Sequence, residues 1–285
     1  MRTALILPLL AACLFSCSDY QKALKGTSVE HKLRIADSLY ALAEKGNAPG
    51  ASRRDESRAM SACEKAVPML EELVQLTRGS AVSEKVYYYH AKCQYWKQDY
   101  ILAYYYLSNF TRTFPASERA EECAFLSAIC NFKNSPSYEL DQTDTKAAIA
   151  DMQLFVVTYP DSPLSDSATA IILRLRGKLE LKDLNNARQY FRLRNYQGAI
   201  TAFKEFNRVW PNSEFREEAL FTILQASALL AEYSVEFRKE QRLKDAIQAY
   251  RNFADAFPES PDKREADRLH EELTAKLAQF ANSTP

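Results

Sequence analysis

Phe114-Pro115-Ala116-Ser117, Tyr159-Pro160-Asp161-Ser162, Trp210-Pro211-Asn212-Ser213 and Phe257-Pro258-Glu259-Ser260 decide how this chain folds. Each is an aromatic residue, a proline, a variable residue and a serine. What precedes them repeats as well. Five residues before each proline stands Phe110, Phe155, Phe206 or Phe253. Eight before it stands Leu107, Met152, Phe203 or Tyr250, and twelve before it Ala103, Ala148, Ala199 or Ala246. Steps of four, three and four residues trace one face of an α-helix. Proline disfavours helical backbone at the residue before it, so each helix is expected to stop there. The serine beyond suits the N-cap of the next helix. A degraded fifth copy lies upstream, with Ala66, Leu70, Leu73, Thr77, Arg78 and Ser80 but no proline.

The spacing Ala199-x3-Phe203 followed by Pro211, with Ala187 and Tyr190 upstream, resembles the tetratricopeptide pattern. A small alanine lets two helices approach, and the phenylalanine fills the gap against the next pair. One pair cannot bury its face alone, so several must stack. The expected fold is therefore all-α, a solenoid of about five tetratricopeptide-like helix pairs closed by a C-terminal capping helix.

Composition agrees. Glycine is scarce, at 6 of 285 residues, as suits helix and not a β-rich fold. Lys+Arg and Asp+Glu both number 37, so the basic excess of a nucleic-acid binder is absent. The N-terminus has a short positive start, Met1-Arg2-Thr3, and an apolar run from Ala4 to Phe15. That run is too short to span a bilayer and reads as a secretory signal. It ends Leu14-Phe15-Ser16-Cys17, which resembles the lipobox of bacterial lipoproteins, in which cleavage frees an acylated cysteine. Leu10-Ala11-Ala12-Cys13 fits the small-residue rule better, but cutting there leaves a shorter apolar run, so Cys17 is preferred and Cys13 is the alternative. Ser18 in place of an aspartate after the anchor points to the outer membrane. The expected division is a signal peptide at 1–16, a lipidated tether at 17–28 and a repeat domain at 29–285. Its pairs fall near 29–78, 79–115, 116–160, 161–211 and 212–258, with a cap at 261–282.

Helices are expected over Val29 to Lys45 and Glu56 to Thr77, separated by a polar insertion from Gly46 to Ser57, with Pro68 kinking the second. The next pair, Ser80 to Trp96 and Gln98 to Phe114, holds eight tyrosines. Tyr87-Tyr88-Tyr89 and Tyr104-Tyr105-Tyr106 each wrap most of a helix circumference, so some must line a surface. Tyr87, Tyr88, Tyr95, Tyr104 and Tyr105 are the candidate contacts for an extended peptide, since tyrosine joins a large apolar face to a polar tip. On that reading Tyr88→Ala or Tyr104→Ala weakens peptide binding without unfolding the protein. Cys93 and Cys130 fall where other repeats carry Leu175 and Ala226, which marks them as small core residues. A loop from Asn134 to Thr143 lengthens the third repeat, and a polar linker is expected between Ser234 and Glu240.

Chemistry is not written into the chain. His31, His90 and His270 are far apart, and no nucleophile elbow, HExxH or phosphate loop occurs. Glu121-Glu122 and Glu217-Glu218 sit in first helical turns, where they complement the helix dipole and are expected to face water. Neither a cofactor nor a metal is implied, and the chain reads as a non-enzyme.

The lipobox, short tether and five repeat pairs together resemble the BamD family, lipoproteins that assemble β-barrels into the outer membrane. Cys17-Ser18-Asp19-Tyr20-Gln21-Lys22, Val86-Tyr87-Tyr88-Tyr89 and the loop Leu140-Asp141-Gln142-Thr143 with Thr145 carry the likeness in detail. The resemblance marks Asp141, Gln142 and Thr143 as a family loop. It implies a scaffold at the periplasmic face of the outer membrane, docked on the POTRA domains of BamA mainly through its C-terminal repeats. Its N-terminal repeats would receive unfolded outer-membrane proteins. A pilotin-like repeat lipoprotein for a secretin, or a periplasmic cell-envelope adaptor, is the alternative.

Overall fold

The computed structural model describes residues 20, 21, 26 and 28–283, the last three as backbone only. The expected signal peptide, Cys13, Cys17 and most of the expected tether lie outside the described residues. Among those described there are eleven α-helices and no strand. In chain order they are α1 Val29–Gly46, α2 Arg53–Leu76, α3 Ser83–Trp96, α4 Tyr100–Thr113, α5 Ala120–Asn134 and α6 Thr143–Thr158. Then come α7 Ser165–Arg192, α8 Tyr196–Val209, α9 Arg216–Glu232, α10 Glu236–Ala256 and α11 Lys263–Ser283. This is the expected all-α, tetratricopeptide-like fold.

The repeated face is the core. Ala103, Leu107 and Phe110 are buried, as are Ala148, Met152 and Phe155, then Ala199, Phe203 and Phe206, then Ala246 and Phe253. The degraded copy holds too: Ala66, Leu70 and Leu73 are buried, and the Thr77 hydroxyl donates to the Leu73 carbonyl at 2.7 Å. Residues 1–175 and 176–285 form two compact units, with the division inside α7. In the first, one cluster runs from Ala36 and Tyr40 to Cys130, and a second gathers Ala128, Met152, Phe155 and Ala168. In the second unit, a single cluster runs from Leu184 to Leu273.

The four proline phrases build one turn four times. Phe114, Tyr159, Trp210 and Phe257 each end a helix with φ between −119° and −136° and ψ between 58° and 68°. The carbonyl of each aromatic accepts from the serine N–H three residues on, at 3.1–3.2 Å, with proline at the second position of the turn, where its fixed φ belongs. The serine carbonyl then accepts from the residue three further on. Here the sequence reading needs correction. Ser117, Ser162, Ser213 and Ser260 are not helix N-caps. Each hydroxyl accepts from the N–H two residues ahead, at 3.0–3.1 Å, and the helix begins one residue later still. Such local side-chain bonds are what serine does best in turns. Every connection from one pair to the next is six residues long, at 77–82, 114–119, 159–164, 210–215 and 257–262. Connections within pairs vary from three to eight residues.

Two helix starts differ from expectation. The insertion after α1 shrinks to residues 47–52, because Ser52 caps α2 by accepting from the Asp55 N–H and the helix starts at Arg53. It then runs through Pro68 without a break. The linker before α10 is 233–235 and not polar, since Lys239–Glu236 and Lys244–Glu240 pairs carry the helix back to Glu236. Tyr20, placed in the tether, donates its hydroxyl to the Lys65 carbonyl of α2 at 2.9 Å.

Candidate functional site

The tyrosine-rich pair is built from a helix whose three consecutive aromatics must point three ways. On α3, Tyr88 points into the core and is 8% exposed. Its hydroxyl donates to Glu122 Oε2 of α5 at 2.7 Å, and its ring meets Phe110 edge-on at 6.0 Å. Burial, and then the Glu122 carboxylate, raise its pKa above the usual phenol value. Tyr89 stacks flat on Tyr40 of α1, 3.7 Å between centroids. Tyr87 turns to α4, edge-on to Tyr106 and Phe114.

Cations lie over these rings. Lys85 Nζ is 5.6 Å from the Tyr89 centroid and 2.6 Å from Asp37. Lys92 is 5.0 Å from the Trp96 ring and bonds Glu122 Oε1 at 2.5 Å, and the Arg119 guanidinium lies 4.7 Å over Tyr88. Lys85, Tyr89, Lys92 and Trp96 fall at helical spacing on one face of α3, the signal in the sequence that a count of tyrosines overlooks. Burial works against ionisation of Glu122, but Lys92, Tyr88 and Arg119 outweigh it and hold the carboxyl below the usual range.

The five tyrosines singled out from sequence do not converge on one groove. Tyr87 and Tyr88 pack as described, and Tyr95 meets Tyr100 edge-on. Tyr104 lines a cleft between α4 and α6, and Tyr105 is exposed beside Tyr106. Tyr88→Ala is therefore a change to the core and not to a free surface.

The first-turn carboxylates also do more than face water. Glu121 accepts from the Ser162 hydroxyl at 2.6 Å, and Glu84 accepts from Ser117 at 2.8 Å, each joining one pair to the next turn. Glu218 takes a two-pronged bond from Arg188 at 2.5 and 2.6 Å.

The loop of the third repeat is locked from inside. Gln142 is buried, and its Nε2 donates to the Ser137 and Leu140 carbonyls at 2.8 and 3.0 Å. Its Oε1 accepts from Thr145 Oγ1 at 2.7 Å, which in turn lies 2.6 Å from Ser135 Oγ. Asp141 Oδ1 accepts from the Thr143 N–H at 2.9 Å. Gln142 thus acts as the hub of the turn, and Asp141 and Thr143 shape its outer rim.

Cys63, Cys93, Cys123 and Cys130 are buried and unpaired, and burial pushes the last two up to about 12. His90 is buried too, and burial pushes it down to about 4. Among the described residues no cluster of His, Cys, Asp and Glu could hold a metal ion, and no helix is long and apolar enough to cross a membrane.

A family model for YfiO, described as outer membrane lipoprotein, matches residues 54–235. The chain belongs to the YfiO family. Among its relatives is the outer membrane protein assembly factor BamD of Vibrio cholerae, 25% identical over 171 residues, which cover 56% of this chain and 71% of that protein. The YfiO match runs from the second residue of α2 to the threshold of α10, and so includes both the aromatic pair and the Gln142 loop.

Proposed function

We propose that this chain is a lipid-anchored scaffold of outer-membrane β-barrel assembly. It stands on the periplasmic face of the outer membrane, held by acylated Cys17 after removal of residues 1–16, with Cys13 the alternative. It binds the POTRA domains of a BamA-like barrel protein and presents unfolded outer-membrane proteins to it. Nothing turns over in this reading; recognition is by packing and backbone contact.

The observation that carries it is the match to an outer membrane protein assembly factor over 56% of the chain. Two surfaces support it. In the C-terminal unit, Tyr233, Val235 and Phe237 are exposed in and beside one short loop, with Tyr196 stacked on Tyr233, which suits docking on a folded partner domain. In the N-terminal unit, Tyr104 and Tyr105 present aromatic surface to an incoming chain. Tyr87 reaches this surface through Tyr106, whereas Tyr88 and Tyr95 pack elsewhere in the pair, on Phe110 and Tyr100. Asp141, Gln142 and Thr143 hold the third-repeat loop in one shape for a partner to read.

The test is a crosslinked pull-down of the tagged chain from envelope membranes. A POTRA-containing barrel protein, crosslinked to residues of α8–α10, is expected as the main partner. Recovery of a secretin or a division complex in its place would overturn the assembly role.

A further inference from the structure

Because the repeats share a register, each position can be compared at a fixed offset from its proline. The outer face of α6 breaks the pattern. Six residues before the proline the other copies carry Asn109, Glu205 and Asn252; here stands Leu154, 65% exposed. Three before it they carry Arg112, Arg208 and Asp255; here stands Val157, 79% exposed. On α4, Ile101 is 75% exposed where the other copies have Lys146, Gln197 and Lys244. Nine before the proline the departure is reversed. Tyr106, Ala202 and Ala249 give way to an acid, Asp151.

Two of these departures, Asp151 and Leu154, form the α6 wall of one cleft of about 440 Å³, with Tyr104 on its α4 wall. Its floor is Ala124 and Ser127 of α5, where the equivalent helix of the second unit has the larger Leu220 and Ile223. The small pair deepens the cleft. Among the described residues, Asp151 is the only charged side chain lining it. Its Oδ2 accepts from Asn131 Nδ2 at 2.6 Å, and partial burial raises its pKa. A half-buried carboxylate with one neutral partner and no lining cation is stabilised by an arriving cation. Val157 stands exposed one turn along α6 from Leu154, so the occupant is longer than a single amine. Exposed apolar side chains at positions a repeat otherwise keeps polar mark an interaction surface.

We propose that the cleft between α4 and α6 docks a segment of a partner polypeptide that presents an arginine or lysine flanked by aliphatic side chains. The cation meets Asp151, and the aliphatic groups lie on Leu154, Val157 and Ile101. The proposal rests on the scaffold reading for its choice of a polypeptide occupant.

The test uses the full chain and two fluorescein-labelled helical peptides, one with an arginine between leucines on one face, its twin with citrulline there. Citrulline keeps the shape and loses the charge. Anisotropy titrations are expected to give about tenfold tighter binding of the arginine peptide, the scale of one charge-assisted hydrogen bond. Asp151→Asn should erase that preference, and Leu154→Asp or Val157→Asp should weaken both peptides. All three positions reach solvent, so circular dichroism is expected to stay unchanged. Equal affinity of the twins for the natural chain, or no binding of the arginine peptide, overturns the proposal. So does competition by free arginine amide as effective as the peptide. A dimer of this chain that Val157→Asp dissolves would assign the face to self-association and overturn it as well. Each of these outcomes leaves the envelope pull-down, and with it the assembly role, standing.

Discussion

Tyr88 of α3 and Glu122 of α5 are joined by a 2.7 Å hydrogen bond from phenol to carboxylate, and the same carboxylate takes a second bond from Lys92. One acid thus ties an aromatic core residue to a cation that lies over Trp96. Tyr88→Phe should lower stability by about 1–2 kcal/mol, the cost of leaving a charged acceptor short of a partner. Urea melts of the two proteins check this; coincident curves would contradict the bond. The Glu122 pKa is depressed in the fold, so its stabilisation is present above the ordinary carboxylate range and is lost as pH falls from that range through the lowered folded value. Glu122→Gln should flatten that part of the pH profile.

His90 supplies a second pH effect of the same sign. It is fully buried among Gln94, Glu71 and Tyr106, and its folded pKa of about 4 lies below the ordinary 6.5. The unfolded chain therefore binds the proton first as pH drops from 6.5 toward 4, and stability falls through that window by about 3 kcal/mol. In His90→Gln the window should vanish. A melting temperature that tracks the natural protein between those pH values would refute the assignment.

Gly46 ends α1 against α2. A Cβ there would stand 2.3 Å from the Asp55 carbonyl oxygen and 2.6 Å from Ala59 Cβ. Backbone cannot step aside as a side-chain tip can, so Gly46→Ala should destabilise by about 1–3 kcal/mol despite alanine's better helix propensity. Gly177, whose added Cβ would meet nothing within 4 Å, is the control, and Gly177→Ala should stabilise.

Phe206→Ala should cost about 3–5 kcal/mol, since the ring is almost wholly buried in the core of the second unit. An unshifted thermal melt would be incompatible with that packing.

Gln142→Ala should release the third-repeat loop. It removes the donor shared by the Ser137 and Leu140 carbonyls and leaves Thr145 without its Oε1 acceptor. Hydrogen exchange should quicken at residues 137–145 while α3 and α4 keep their protection. Unchanged exchange in the loop would show that Gln142 is not its hub.

The repeat could be read from sequence because its determinants are local. Alanine, phenylalanine and proline at helical offsets fix a face and a stop without reference to any other part of the chain. What escaped was set by partners far along it. Glu121 and Glu122 looked like first-turn charges because Ser162 and Tyr88, which engage them, lie 41 and 34 residues away. Arg53 and Arg54 read as loop because the Ser52 cap that starts α2 is a matter of one hydrogen bond. The tyrosines were countable, but which of them faced inward depended on Tyr40 and Phe110 from neighbouring helices. Lys85, Lys92 and Arg119 were passed over because their purpose shows only against the rings beneath them.

The six-residue connection between pairs has an evolutionary corollary. Its turn bonds, and the bond each serine hydroxyl accepts, are made within the connection, while the hydroxyls of Ser117 and Ser162 also reach back to Glu84 and Glu121 of the preceding pair. Growth of the chain is accommodated inside a pair, as the long third-repeat loop shows, while the joint between pairs keeps its length even where the proline has been lost. A segment cut from one proline to the next is thus a cassette. Its outer face can be rewritten without retuning how the next one is joined, provided the glutamate that meets the serine is kept.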